Sequence, residues 1–371
     1  MKVYVHIPFC HSKCAYCDFY STPRADWMDA FVDALRNEWH ERTDGKPFDI
    51  ETIYLGGGTP SMLPLSHIRS IIDTLAEGRE MRLREFTIEV NPEDVNPEWV
   101  DELLSTTPIR RVSMGIQSFA DEQLRLIGRR HSAQQAVEAF ETLRRGGVEN
   151  ISCDLIYGLP GQSEGSWEES LSRLIAMKPE HISAYLLSYE PRTRLTVMRD
   201  HGKVTEADEE TVTQMYATLC HATREAGYGH YEISNFALPG REAIHNSGYW
   251  DASPYIGLGP GAHSFVEGVR GYNPSSLSDY IKACGRGFHV TEEETEENRF
   301  NDTLITGLRT AKGIDLEQLR SSFSPAIFKQ FEKEARHLLA DGSLHLSGAR
   351  LTIPEPLWLT SNSILLPLIV T

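Results

Sequence analysis

From residue 2 to about residue 190, short runs rich in β-branched and aromatic residues alternate with longer stretches of helical period, and nothing else constrains the fold as much. Strands separated by helices cannot pair as hairpins. They cross over and lie parallel, with the helices packed outside the sheet. Val3–Ile7, Thr52–Leu55, Phe86–Val90, Arg111–Met114, Ile151–Ile156 and His181–Leu186 predict six such strands. Between the first two, Trp27, Phe31, Leu35 and Trp39 recur every fourth residue behind Asp26, a candidate helix cap. Similar patterns cover Ser66–Ala76, Pro97–Leu104, Ala133–Arg144 and Ser166–Met177. The expected fold class is therefore α/β, six βα units forming a partial (β/α)6 barrel over residues 1–204.

Residues 205–290 are less regular. They hold a helix near Ala207–Ala226 and a stretch ending in Gly257-Leu258-Gly259-Pro260-Gly261, and are expected to complete and cover the barrel. The acidic run Glu292-Glu293-Glu294-Thr295-Glu296-Glu297 reads as a linker and helix start, opening a third region over residues 291–371. Its helical stretches Asn298–Leu308, Leu316–Leu319 and Pro325–Leu339 precede short strands at Leu344–Leu346 and Leu351–Ile353, a small winged-helix-like pattern. The apolar tail Ile364–Val370 is expected to cap it.

The 371 residues carry 53 acidic and 36 basic side chains, a formal charge of −17, which argues against a grip on nucleic-acid phosphates. No stretch reaches the roughly 18 consecutive apolar residues of a membrane span, and the N-terminus lacks a signal-peptide pattern. A cytoplasmic protein with no transmembrane segment is expected; peripheral membrane contact and either a monomer or a homodimer remain compatible.

In parallel α/β folds the ligand face lies at the C-terminal ends of the strands. Chemistry-bearing residues collect there. Cys10, Cys14 and Cys17 follow the first strand, Gly56-Gly57-Gly58-Thr59-Pro60 follows the second, Glu89 ends the third, Gln117 follows the fourth, and Asp154 lies in the fifth. Three thiolates in a Cys-x3-Cys-x2-Cys loop can hold three irons of a [4Fe–4S] cluster and leave the fourth open to an exchangeable ligand. The same triad with His6 or His11 would also suit tetrahedral zinc. The glycines let backbone approach a ligand closely and offer N–H groups, and would equally make a tight strand-to-helix turn. Glu89 and Asp154 could be ligand acceptors or members of an internal polar network. Cys153, Cys220 and Cys284 stand alone and read as ordinary buried thiols.

Tyr4-Val5-His6-Ile7-Pro8-Phe9-Cys10, the triad and Tyr16 before Cys17 resemble the radical SAM superfamily. More narrowly, Ile88-Glu89-Val90-Asn91-Pro92, Met114-Gly115-Ile116-Gln117-Ser118-Phe119 and Asp154-Leu155-Ile156-Tyr157-Gly158-Leu159-Pro160 resemble the HemN/HemW family, oxygen-independent coproporphyrinogen III oxidases and their relatives. The resemblance implies that Cys10, Cys14 and Cys17 hold a [4Fe–4S] cluster whose open iron takes the amino and carboxylate groups of S-adenosylmethionine (SAM). It assigns SAM contacts to Tyr4, Tyr16, Gly57, Gly58, Thr59 and Glu89, and further pocket positions to Gln117, Arg129 and Asp154.

Within that family the oxidases carry a fourth cysteine two residues after the third, where this chain has Phe19, and an N-terminal extension that this sequence lacks. Both departures resemble the heme-chaperone branch. So does His245-Asn246-x-x-Tyr249-Trp250, similar to a motif associated with heme in that branch. The implied function is binding of heme and its transfer to acceptor proteins such as respiratory enzymes. His245, flanked by Asn246, Tyr249 and Trp250, is a candidate heme ligand, with His263 a second; the bland reading makes Tyr249 and Trp250 core anchors. The alternatives are a true coproporphyrinogen III oxidase decarboxylating propionates, an RNA-modifying radical SAM enzyme, which the charge opposes, and a zinc-stapled barrel.

Overall fold

The computed structural model describes residues 1–370 apart from Gly45 and Pro47. Strands β1 (Lys2–Ile7), β2 (Ile50–Gly57), β3 (Met81–Val90), β4 (Arg111–Gln117), β5 (Asn150–Tyr157) and β6 (His181–Leu186) pair in parallel, in chain order. The six expected strands are all present, β3 beginning five residues early. Period-two alternation divides each strand. On β1–β3, Val3, Val5, Ile7, Ile53, Leu55, Phe86, Ile88 and Val90 are buried toward the helices. The opposite face carries Tyr4, His6, Thr52, Tyr54, Glu85, Thr87 and Glu89, and continues through Arg111, Ser113, Ser152, Asp154, His181 and Ser183. The sheet thus has an apolar outside and a polar inside.

The helix Met28–Thr43 buries Phe31, Leu35 and Trp39 against the sheet as its period requires, but Asp26 does not cap it. A 3-10 turn, Ala25–Trp27, precedes the helix, and the Asp26 carboxylate pairs with Arg24 at 2.7–2.9 Å. The helices Leu65–Ala76, Pro97–Thr106, Ala133–Arg145 and Glu164–Met177 follow their strands outside. The last three start with side-chain caps from Asn96, Ser132 and Ser163.

The less regular middle region extends the sheet at both edges. Strands β7 (Gly229–Glu232) and β8 (Asn235–Ala237) add antiparallel beyond β6. On the other side β9 (Tyr255–Leu258) pairs parallel with β1, followed by antiparallel β10 (His263–Val266), β11 (Val269–Tyr272) and β12 (Val290–Thr291). The parallel set therefore has seven strands rather than six, in an open twelve-stranded sheet. The short helix Ile244–Trp250 closes the bottom of the barrel: Glu85 accepts from the Ile244 and His245 amides at 2.7 and 3.0 Å, placing a carboxylate on the helix N-terminus.

Downstream, helices Glu296–Gly307, Leu316–Ser322 and Pro325–Ala340 surround a small antiparallel sheet of β13 (Ile314–Asp315), β14 (His345–Ser347) and β15 (Arg350–Thr352). Ile364, Leu365, Leu368 and Val370 join the same continuous core as the barrel's outer face. Asn301 bonds the Val370 N–H and carbonyl, both at 2.9 Å. Among the described residues no helix is long and apolar enough to cross a membrane.

Candidate functional site

The cysteines lie on a loop that leaves β1 and returns to it. Cys10 N–H bonds the Thr22 carbonyl at 3.0 Å and Thr22 N–H bonds Pro8 at 2.7 Å, closing the loop's base. Its middle hangs from Ala15, buried, whose N–H donates to Ile127 and whose carbonyl accepts from Leu195, both at 2.8 Å. The glycine run braces the loop. Gly58 and Thr59 N–H donate to Ile7 and Phe9 carbonyls at 2.8 and 2.7 Å, and Gly57 N–H donates to Glu89 at 3.0 Å. These amides are thus committed to the chain itself and are not offered to a ligand. At Gly58 a Cβ would lie 2.6 Å from the Phe9 carbonyl oxygen, so the glycine is needed for this close approach.

A cavity of about 440 Å³ opens above, lined by the three cysteines, Tyr16, Gly57, Gly58, Thr59, Glu89, Gln117, Arg129 and Asp154. One pocket touched by residues from β2 through β6 and the loop after β1 requires the sheet to be curved. Every residue assigned to the cluster and SAM by resemblance lines it except Tyr4, which lies deeper, its hydroxyl 3.1 Å from His6 Nδ1 and its ring against Tyr54. Asn91 was not singled out in the sequence, although it stands two residues beyond Glu89 at a strand end. It lines the pocket, accepts from Arg129 Nη2 at 2.6 Å and donates to Thr59 Oγ1 at 3.1 Å. Gln117, at φ +70°, turns into the pocket where β4 slips register against β5.

The charges are arranged around the thiols. Arg129 Nη1 lies 3.6 Å from Cys14 Sγ and Nη2 donates to Gly115 O at 2.7 Å. Burial opposes its charge, but Tyr16, Cys14 and Glu93 outweigh it, holding the guanidinium above its ordinary range. Burial pushes Glu89 up to about 7; repulsion from Asp154 adds, against hydrogen bonds from Tyr54 at 2.8 Å and Gly57. Burial likewise pushes Asp154 up to about 6, restrained by Ser183, Arg111 and Arg129. Two carboxyls poised near neutrality beside a buried arginine can accept from ribose hydroxyls or an amino group.

The residues fit an iron–sulfur cluster better than zinc. On one tetrahedral zinc, with bonds of about 2.0–2.3 Å, ligand atoms sit roughly 3.3–3.8 Å apart. Among the described residues the trio of Cys, His or acidic ligand atoms within 4.8 Å of one another is elsewhere, at Cys220, His230 and Glu355, so the three loop thiols are spread more widely. His6 has both nitrogens engaged, with Tyr4 and with the Tyr20 carbonyl at 2.9 Å. Arg129 Nε is buried without a hydrogen-bond partner, and the guanidinium that carries it lies 3.6 Å from Cys14 Sγ, a positive charge that suits a negatively charged cluster.

The heme candidates are not in this pocket. His245 is fully buried below it: Nδ1 meets Thr52 Oγ1 and Nε2 meets Tyr249 OH, both at 2.9 Å, and Tyr54 packs on the ring. Burial holds its pKa down at about 3. Asn246, Tyr249 and Trp250 lie on the same helix, partly buried, and His263 is exposed on β10 facing Tyr272. The other three cysteines differ from one another: Cys153 is buried, Cys220 is partly buried beside His230, and Cys284 is exposed at φ +52°, so "ordinary buried thiol" describes Cys153 alone.

A curved parallel sheet with a cysteine triad on the loop after its first strand defines a radical SAM protein. Residues 4–174 match the model for the Radical SAM superfamily and residues 295–356 that for the HemN C-terminal domain. The chain is 32% identical to the heme chaperone HemW of Lactococcus lactis subsp. lactis (95% of this chain, 93% of that one) and 33% identical to HemW of Bacillus subtilis (93% of each). It is 32% identical to the mitochondrial radical S-adenosyl methionine domain-containing protein 1 of Danio rerio (87% and 76%). The chain belongs to the HemW family. The same fold is seen in the coproporphyrinogen III oxidase HemN of Escherichia coli, at TM-score 0.84 and 21% identity over 100% of this chain and 90% of that one.

Proposed function

We propose that the chain is a heme chaperone: it binds heme, passes it to acceptor proteins, and carries a [4Fe–4S] cluster on Cys10, Cys14 and Cys17 with SAM exchangeable at the open iron. The observation that carries the reading is similarity over nearly the whole chain to relatives named heme chaperones. The pocket mouth supports it. Phe19, at the oxidases' fourth-cysteine position, is 63% exposed there, with Tyr185 and Leu186 each 42% exposed on the same rim. Lys13 and Arg130 line the pocket too. An apolar rim with cations beside it suits a flat macrocycle bearing carboxylates.

A cluster held by Cys10, Cys14 and Cys17 would offer an open iron to the amino and carboxylate groups of SAM and one-electron redox chemistry beside it. The chain's own residues do the rest. Arg129 offsets thiolate charge, Glu89 and Asp154 present acceptors, Tyr16 and Gly57–Thr59 wall the cavity, and the helix Ile244–Trp250 excludes water from below. As heme ligands, His263 already presents an exposed ring, whereas His245 must first give up Thr52 and Tyr249.

The test is anaerobic reconstitution followed by a heme titration and a coproporphyrinogen assay with SAM and reductant on one sample, with Cys10→Ala as control. Stoichiometric heme without decarboxylation supports the reading. Decarboxylation that depends on Cys10 overturns it in favour of an oxidase.

A further inference from the structure

A second cavity, about 390 Å³, lies where the helix Glu209–Glu225 and strand β7 meet the segment after β15. Three ligand-bearing side chains face one another there: Cys220 from the helix, His230 from β7 and Glu355 from the C-terminal segment. Cys220 Sγ is 3.9 Å and Glu355 Oε1 2.9 Å from His230 Nδ1, and all three ligand atoms lie within 4.8 Å of one another. The trio is gathered closely enough for small side-chain shifts to bring its atoms onto one tetrahedral ion, unlike the more widely spread thiols of the cysteine loop. No sequence motif joins positions 220, 230 and 355; the fold alone assembles them.

Neighbouring groups aim the trio. His230 Nδ1 faces Glu355 Oε1 at 2.9 Å and Nε2 faces the Ile233 carbonyl at 3.4 Å; without an ion Nδ1 donates to the carboxylate, and with an ion on Nδ1 the ring proton has the Ile233 carbonyl to go to. Phe236 stacks on the ring at 4.0 Å and Trp358 meets it edge-on at 4.5 Å, fixing its plane. Arg224 holds the other carboxylate oxygen, Oε2, at 2.6 Å, which turns Oε1 inward. A divalent cation bound here would take the place of the proton that joins Nδ1 to Oε1.

We propose that Cys220, His230 and Glu355 bind one divalent cation of the zinc type, with a fourth position open to the cavity. Sulfur, nitrogen and oxygen donors together select such an ion over magnesium or calcium. Binding releases the thiol proton to solvent and leaves the oxidation state of every group unchanged. Since Glu355 belongs to the C-terminal segment and the other two ligands to the edge of the barrel region, the ion fastens one to the other. The site is independent of the heme and SAM reading.

The test uses full-length, cluster-loaded protein given one equivalent of Zn2+ anaerobically and desalted. Zinc content and zinc-edge X-ray absorption are then read, neither disturbed by iron. The expected result is about one zinc per chain with one sulfur and three nitrogen or oxygen neighbours. In Cys220→Ser the sulfur neighbour disappears while iron content stays at the parent's level, and His230→Gln with Glu355→Gln retains no zinc. As a check that needs no variant, zinc raises the parent's thermal midpoint and a chelator reverses the rise. Failure of the parent to retain zinc, a sulfur neighbour that survives Cys220→Ser, or several sulfurs per zinc, meaning capture by the cysteine loop, would each overturn the proposal.

Discussion

Glu89 on the polar inner face of β3 and His245 on the helix packed beneath that face have pH dependences that run in opposite directions. In the folded chain Glu89 keeps its proton to about pH 7, whereas in the unfolded chain it releases it near the ordinary value of about 4.3. Its contribution is therefore fullest at low pH and declines as pH rises to about 7. In urea titrations without SAM, the parent should lose on the order of 3 kcal/mol more than Glu89→Gln between about pH 4.5 and 7.5. Parallel curves would show the carboxyl ionised throughout. His245, held down at about 3, contributes stability that is complete above about 6.5 and lost as pH falls toward 3. His245→Ala leaves Thr52 and Tyr249 without their partner, so we expect a loss of about 2–4 kcal/mol in unfolding free energy at pH 7.5 with or without heme. The convergence of the cysteines, Glu89 and Asp154 on one pocket was legible in the sequence, the cysteines from their close spacing just after the first strand and the carboxylates because a polar residue at a strand's end or interior interrupts an apolar pattern. The environment of His245 was not, because its partner Thr52 lies 193 residues away.

Among the elements, the strands β1–β6 could be read from local chemistry because apolar alternation and intervening helices repeat with little variation. Strand β9 could not: its neighbourhood is glycine-rich, and it becomes a strand by pairing with β1, its neighbour in the sheet but far from it in sequence. The cap expected at Asp26 failed for a local reason, since Arg24 two residues away competes for its carboxylate. The glycine run was recognised as a close-approach element, but what approaches is the cysteine loop's own backbone. Gly58→Ala should therefore act on that loop. We expect overpacking of about 1–3 kcal/mol, read as a reduced iron content after reconstitution with unchanged far-ultraviolet circular dichroism. Full iron loading would mean that the loop yields without losing its ligand geometry.

For the molecule as a whole, order should fall away from the middle of the sheet. Strand β4 is buried along its entire length, while β12 and β14 are exposed throughout. Hydrogen exchange should be slowest in β1–β5 and fast in β12 and β14; uniform protection would mean that the edges unfold only with the core. The cysteine loop departs from this gradient. Its base is closed on itself and its midpoint is tied to two distant parts of the chain, so its shape is held by main-chain bonds that involve no thiol. It works as a mould rather than a clasp. Contents destroyed by oxygen would leave the vessel standing, and refilling it would require iron, sulfide and reductant but no new act of folding.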